Sequence, residues 1–365
     1  MKFNQELEQI KTYEAGKPIE LVVREFGISP SEVIKLASNE NPLGTSPKVV
    51  ETIKQNAKNA YLYPDDSMYE LKEALSKEFS VKSNNIIIGA GSDQVIEFIS
   101  RAKLNPNASI LITQVTFAMY EIYAKQMGAQ VIKTKNFRHL ANEFIPIIKE
   151  QNPDIVYICT PNNPTGDATK KEEVFKIIEA TNSSNTLVVV DGAYMEYAQA
   201  KDNSYLITPK ELLTYPNTIY LGTFSKAYGL GGMRVGYGIS NSNIIEALYK
   251  MRPPFNITTL SLASAISALG DKEFIKRTLF LHLQELKRYE EYAKAKGFKY
   301  IDSYTNFITY LFDDNLNSSD IANALLRRGV IIRDLASYGL NAIRITVGTS
   351  EQNSKLFKAL DEVLE

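Results

Sequence analysis

The sequence predicts an α/β fold, with a large α/β/α unit built on a mostly parallel seven-stranded sheet and a smaller α+β unit after it. Three observations predict it. Seven short β-rich runs recur between residues 85 and 239, and helical patterns separate most of them. Several runs, such as Leu187-Val188-Val189-Val190, are continuously apolar, as strands covered on both faces are. The runs span 85–88, 109–112, 130–133, 154–159, 186–190, 218–221 and 234–239. Helical periodicity marks 68–79, with Leu71, Leu75 and Phe79 on one face, and also 93–102 and 170–180. Met251-Arg252-Pro253-Pro254-Phe255 then breaks the pattern, because two prolines forbid a smooth helix. Beyond it, 259–270 and 272–296 read as long helices. Strands are expected at 298–301, 306–312, 330–333 and 342–347, with helices at 319–328 and 351–364. The expected division is an N-terminal segment 1–40 packing on both units, a large unit 41–255 and a small unit 256–365.

Composition narrows the function classes. The 365 residues are 44% hydrophobic and 23% charged, with a formal net charge of −1. That balance gives no whole-surface attraction for nucleic acid or an anionic membrane. No apolar stretch is long enough to span a bilayer, and Met1–Leu7 lacks the apolar core of a signal peptide. The cytoplasm is the expected compartment. Cys159 is the single cysteine, so no intrachain disulfide forms, and its apolar run reads as a buried strand. His139 and His282 have no partner pattern, and no metal-ligand cluster is seen.

Lys226 sits in Thr223-Phe224-Ser225-Lys226-Ala227-Tyr228-Gly229-Leu230-Gly231-Gly232-Met233-Arg234. A lysine amine forms a Schiff base with an aldehyde. Hydroxyls, exposed glycine backbone and an arginine hold a phosphate. An aldehyde and a phosphate on one small molecule describe pyridoxal 5'-phosphate. Gly89-Ala90-Gly91-Ser92-Asp93 follows a strand and opens a helix, which makes an anion site from backbone N–H groups and the helix dipole. An ordinary tight turn fits those residues equally well. Asp191 ends an apolar run, where a carboxylate can pair with a protonated pyridine nitrogen. Tyr194 and Asn163, the latter in Pro161-Asn162-Asn163-Pro164-Thr165-Gly166, can reach the ring's phenolic oxygen. A helix cap for Asp191 and a plain turn for 161–166 remain open. Phe117 can stack on the ring face or be a core aromatic.

With these residues in view the chain resembles the fold-type I pyridoxal-phosphate aminotransferases, and among them the histidinol-phosphate aminotransferase branch. The resemblance runs through Leu36-Ala37-Ser38-Asn39-Glu40-Asn41-Pro42-Leu43-Gly44, Tyr63-Pro64-Asp65, Gly91-Ser92-Asp93, the segment 161–166 and Asp191-Gly192-Ala193-Tyr194. It continues through 223–236, Arg252-Pro253-Pro254-Phe255-Asn256 and Arg344-Ile345-Thr346-Val347-Gly348-Thr349. It implies Lys226 as the Schiff-base lysine, Asp191 as the pyridinium partner, and Asn163 and Tyr194 on the phenolic oxygen. Ala90, Gly91, Ser92, Thr223, Ser225 and Arg234 would line the phosphate site, with Phe117 as the stacking ring. Tyr63 would reach the phosphate of a neighbouring subunit, so a homodimer with shared sites is implied. Tyr13, Asn39, Asn163, Arg333 and Arg344 would meet substrate. Gly192 departs from the family, which often has glutamate there.

The reaction implied is transamination of L-histidinol phosphate with 2-oxoglutarate, giving imidazole-acetol phosphate and glutamate, in histidine biosynthesis. Lys226 would move the proton between substrate and cofactor. An aromatic amino-acid transaminase and a decarboxylase of a phosphorylated amino acid share the scaffold. The effector domain of a transcription regulator would need an attached DNA-binding module. A nicotinamide dehydrogenase is disfavoured by the missing Gly-x-Gly-x-x-Gly.

Overall fold

The computed structural model describes residues 5–10, 19–182 and 184–365. Thirteen strands occur among them. They are β1 (Ile34–Lys35), β2 (Ile86–Gly89), β3 (Ser109–Ile112), β4 (Gln130–Lys133), β5 (Ile155–Cys159), β6 (Leu187–Asp191) and β7 (Thr218–Thr223). Then come β8 (Gly236–Ser240), β9 (Lys299–Ile301), β10 (Phe307–Leu311), β11 (Val330–Ile331), β12 (Arg333–Asp334) and β13 (Ala342–Thr346).

The seven predicted runs form one sheet in the order β2-β8-β7-β6-β5-β3-β4. β8 pairs antiparallel with both β2 and β7, and the other pairings are parallel. Every residue of β5, β6, β7 and β8 is buried, which is why β5 and most of β6 are apolar without alternation. Two cores result, one on each face. Ile158, Val188 and Val190 point to one of them, and Tyr157, Val189 and Leu221 to the other. The parallel strands place their carboxyl ends on one side, where open α/β sheets receive ligands.

A second sheet, β12-β13-β10-β9, is antiparallel, and β1 pairs with β11 beside it. Two expectations change here. The run 330–333 was expected as one strand but changes partner at Ile332, so β11 joins β1 while β12 joins β13. The helix Thr259–Gly270, expected with the small unit, buries Leu262, Ala265, Ala268 and Leu269 in the large unit's core. The following helix, Lys272–Lys296, serves both units. Its Ile275 and Leu279 pack on the large core, and its Leu286, Tyr289 and Ala293 belong to the small one. No helix among the described residues is long and apolar enough to cross a membrane.

Candidate active site

One pocket lies at the carboxyl ends of β5, β6 and β7 and at the start of the helix Gly91–Lys103. Lys226, Asp191, Tyr194, Asn163 and Phe117 line it at one end, and Gly91, Ser92, Thr223, Ser225 and Arg234 at the other. These ten residues span 144 positions of sequence (91 to 234) and meet only because the strands carrying them are adjacent.

At the first end, Asp191 closes β6 and is 3% exposed. Its Oδ2 accepts the Tyr120 hydroxyl at 2.6 Å and its Oδ1 the Ala193 N–H at 3.1 Å. Both donors are neutral, so burial dominates and raises the carboxyl above its ordinary range. Tyr120 is held by stacking on Tyr157, with centroids 4.3 Å apart, and Phe117 stands edge-on to it at 5.6 Å. Lys226 follows β7. Its Nζ lies 3.4 Å from the Ser38 carbonyl and 5.7 Å from the centre of the Tyr194 ring. Burial, helped by the charges of Arg344 and Arg234, brings its amine down to about 8. A lysine so placed is a usable base near neutrality.

The other end is built differently. Gly91 has φ +78°, and a Cβ there would stand 2.7 Å from Arg234 Nη2. The left-handed φ favours glycine there, and a side chain would have to push the guanidinium aside. Arg234 itself is left-handed at φ 54°. Its Nη1 donates to Ser225 Oγ at 3.4 Å and the Gly231 carbonyl at 3.2 Å, and its Nη2 to the Ala90 carbonyl at 3.4 Å. Thr223 Oγ1 accepts the Ser225 N–H at 3.1 Å.

Arg344, on β13, reaches in from the small sheet. It is 8% exposed and donates to Asn163 Oδ1 at 2.5 Å and to the Ala37 carbonyl at 2.7 Å. The register sets Arg333 of β12 directly opposite Arg344. Asn39 is 2% exposed, and its Nδ2 donates to the Tyr194 hydroxyl at 2.9 Å. Tyr63 lies away from this pocket, 81% exposed and packed on Phe255 at 4.7 Å. Tyr13 falls outside the described residues.

Several bland readings are decided by burial. Cys159 touches the pocket, but burial pushes its thiol up to about 12, which leaves it inert. Burial brings His139 and His282 down to about 3, so both are neutral. His139 Nε2 accepts the Cys159 N–H at 3.1 Å. Sequence reasoning missed Tyr120. Its only signal was a place three residues after Phe117, one helical turn along.

The Gly192 departure has a steric cause. A Cβ on Gly192 would stand 2.3 Å from the Tyr220 hydroxyl oxygen and 2.5 Å from its ring. Tyr220, 4% exposed, occupies the space a side chain at 192 would need, and its hydroxyl donates to the Gly192 carbonyl at 3.5 Å.

Residues 31–360 match the family described as aminotransferase class I and II. The chain belongs to the class I and II aminotransferases. Two curated relatives of this aminotransferase chain are both histidinol-phosphate aminotransferases. That of Sulfurovum sp. (strain NBC37-1) is 65% identical, with 100% of each chain covered. That of Aliarcobacter butzleri (strain RM4018) is 58% identical, again with 100% of each covered. Among solved structures, histidinol-phosphate aminotransferase from Sinorhizobium meliloti, in complex with pyridoxal-5'-phosphate, superposes with a TM-score of 0.89. It is 27% identical, covering 100% of this aminotransferase and 97% of that chain.

Proposed function

We propose that this chain is a cytoplasmic, pyridoxal-phosphate-dependent aminotransferase that exchanges an amino group between L-histidinol phosphate and 2-oxoglutarate. Its products are imidazole-acetol phosphate and glutamate, a step of histidine biosynthesis. Full-length identity of 65% to a histidinol-phosphate aminotransferase supports the substrate. The observation that carries the chemistry is Lys226, its amine brought down to about 8, in one pocket with the buried carboxylate of Asp191.

The residues present fit the cofactor. Asp191 is a buried carboxyl with only neutral hydrogen-bond donors, so a cationic ring nitrogen would be its charge partner. The cradle at Gly91, which a Cβ would fill, faces the guanidinium of Arg234. When bound, pyridoxal phosphate supplies an aldehyde that condenses with amines and a ring that withdraws electrons from the neighbouring carbon.

The side chains divide the remaining work. Lys226 would hold the cofactor through its amine and would carry the proton as general base and acid. Asp191 would pair with a protonated ring nitrogen, and Tyr120 keeps Asp191 aimed. Arg344 occupies Asn163 Oδ1, which leaves Asn163 Nδ2 to donate to the phenolic oxygen alongside Tyr194. Phe117 covers a ring face. The N–H groups at Ala90, Gly91 and Ser92, the hydroxyls of Thr223 and Ser225, and Arg234 bind the phosphate. Arg333 and Arg344, opposed across one ladder rung, would hold the substrate anion, with Asn39 near it.

A homodimer completes the reading. Tyr61, Leu62, Tyr63 and Phe255 are all more than 40% exposed in one segment pair, an apolar patch suited to a second copy, with Tyr63 reaching the partner's phosphate site. Purified protein mixed with pyridoxal phosphate, L-histidinol phosphate and 2-oxoglutarate is expected to form glutamate. Release of carbon dioxide from a phosphorylated amino acid, with no glutamate, would refute the transaminase reading.

A further inference from the structure

Asn39 stands at a junction of three elements. It has φ 56°, in the left-handed region, and is held there from both sides of its backbone. Its N–H donates to Thr346 Oγ1 at 2.9 Å, at the end of β13. Its carbonyl accepts Asn306 Nδ2 at 2.9 Å, just before β10. Its side chain crosses to Tyr194, after β6 in the large unit.

The donors and acceptors in this group can be followed atom by atom. Thr346 Oγ1 already accepts the Asn39 N–H, and its single proton goes to Asn39 Oδ1 at 3.2 Å. That bond fixes the Asn39 amide. The flipped amide would leave the Thr346 proton without an acceptor among the described residues, at a site 2% exposed. Asn39 Nδ2 is therefore the donor at 2.9 Å to the Tyr194 hydroxyl, and the Tyr194 oxygen is the acceptor. The proton of Tyr194 is thus turned away from Asn39. The Tyr194 ring is fixed edge-on to Phe307 at 5.5 Å and lines the pocket that holds Lys226.

We infer that Asn39 is a positioning residue for Tyr194, holding the hydroxyl so that its proton is offered into the pocket, to the phenolic oxygen of the cofactor. The inference rests on the cofactor reading above and goes beyond it. It gives Asn39 a task other than substrate contact. It also makes the donor strength of Tyr194 depend on the small sheet, because Thr346 sets the Asn39 side-chain amide and Asn306 holds its backbone carbonyl. When the small sheet is docked, the hydroxyl has one direction available.

The test is a pH titration of the visible absorption band of bound pyridoxal phosphate, without substrate. It compares wild type, Tyr194→Phe, Asn39→Asp, Asn39→Ala and the double variant Asn39→Asp/Tyr194→Phe. A donor to the phenolic oxygen favours the anionic form, so its loss raises the apparent midpoint, by about one to two pH units. Asn39→Asp turns the proton of Tyr194 toward its own carboxylate and is expected to raise the midpoint as Tyr194→Phe does. Asn39→Ala, which deletes the donor without reversing it, is expected to shift it less. The double variant is expected to titrate like Tyr194→Phe alone. An equal added shift from Asn39→Asp in the Tyr194→Phe background would mean a bare charge effect and would overturn the inference. An unshifted midpoint in both Asn39 variants, beside a shifted one in Tyr194→Phe, would overturn it alone. No shift in Tyr194→Phe would overturn it together with the role given to Tyr194.

Discussion

The two ends of the pocket are made by opposite means. At the end proposed for the ring, the side chains are buried and bound to one another. Asp191 has both oxygens engaged, Tyr120 is stacked, and Asn39 and Phe307 brace Tyr194. At the end proposed for the phosphate, Arg234 is exposed, and its three contacts, to neutral oxygens, are 3.2 to 3.4 Å long. The difference separates two demands. Chemistry needs fixed dipoles and a low dielectric, whereas anchoring needs an uncompensated charge that gains on meeting its anion.

Substitutions at the two ends should therefore fail in different quantities. Asp191→Asn is expected to lower kcat on the order of 10²- to 10³-fold, with little change in cofactor affinity, as steady-state rates at saturating pyridoxal phosphate would show. Arg234→Ala is expected to do the reverse. Cofactor Kd, from fluorescence titration, should rise about 10- to 100-fold, the loss of one charged hydrogen-bonding group, with kcat at saturation near wild type. If Arg234→Ala lowered kcat as far as Asp191→Asn does, the division would be wrong.

Smaller effects sharpen it. Only the neutral form of Lys226 attacks an aldehyde, and its amine sits at about 8. In cofactor-free protein, the rate of covalent pyridoxal phosphate capture should fall about tenfold per pH unit below that value and level off above it. Stopped-flow absorbance checks this. Gly192→Ala should cost about 1–3 kcal/mol of stability by overpacking, read from urea denaturation. Adding Tyr220→Phe should not restore it, since the ring carbon at 2.5 Å remains.

Much of this was legible in the chain because it was local. The runs 109–112 and 130–133 and the helices 259–270 and 272–296 have the bounds expected, since apolar period and glycine or proline punctuation define them. That Lys226, Asp191, Asn163 and Arg234 would share a pocket was legible because each lies near a strand end in a marked segment. What depended on partners was not. The 330–333 run looks uniform, yet its two halves pair with different strands. The helix 259–270 has an apolar face that says nothing of which core it enters. Tyr120 reads as a core aromatic until β6 is set beside it, and Gly192 reads as a plain departure until Tyr220 is seen in its place.

The rung that pairs Arg333 with Arg344 has one more consequence. Two guanidinium groups on facing strands are a local source of positive charge, each with partners of its own, within a chain whose formal net charge is −1. Such a source is screened within about 8 Å at physiological ionic strength, so the molecule as a whole does not draw anions from afar. If the rung holds the substrate anion as proposed, selection between a carboxylate, a phosphate ester and a neutral amine is made after encounter. Added salt should weaken it far less than it would weaken long-range steering.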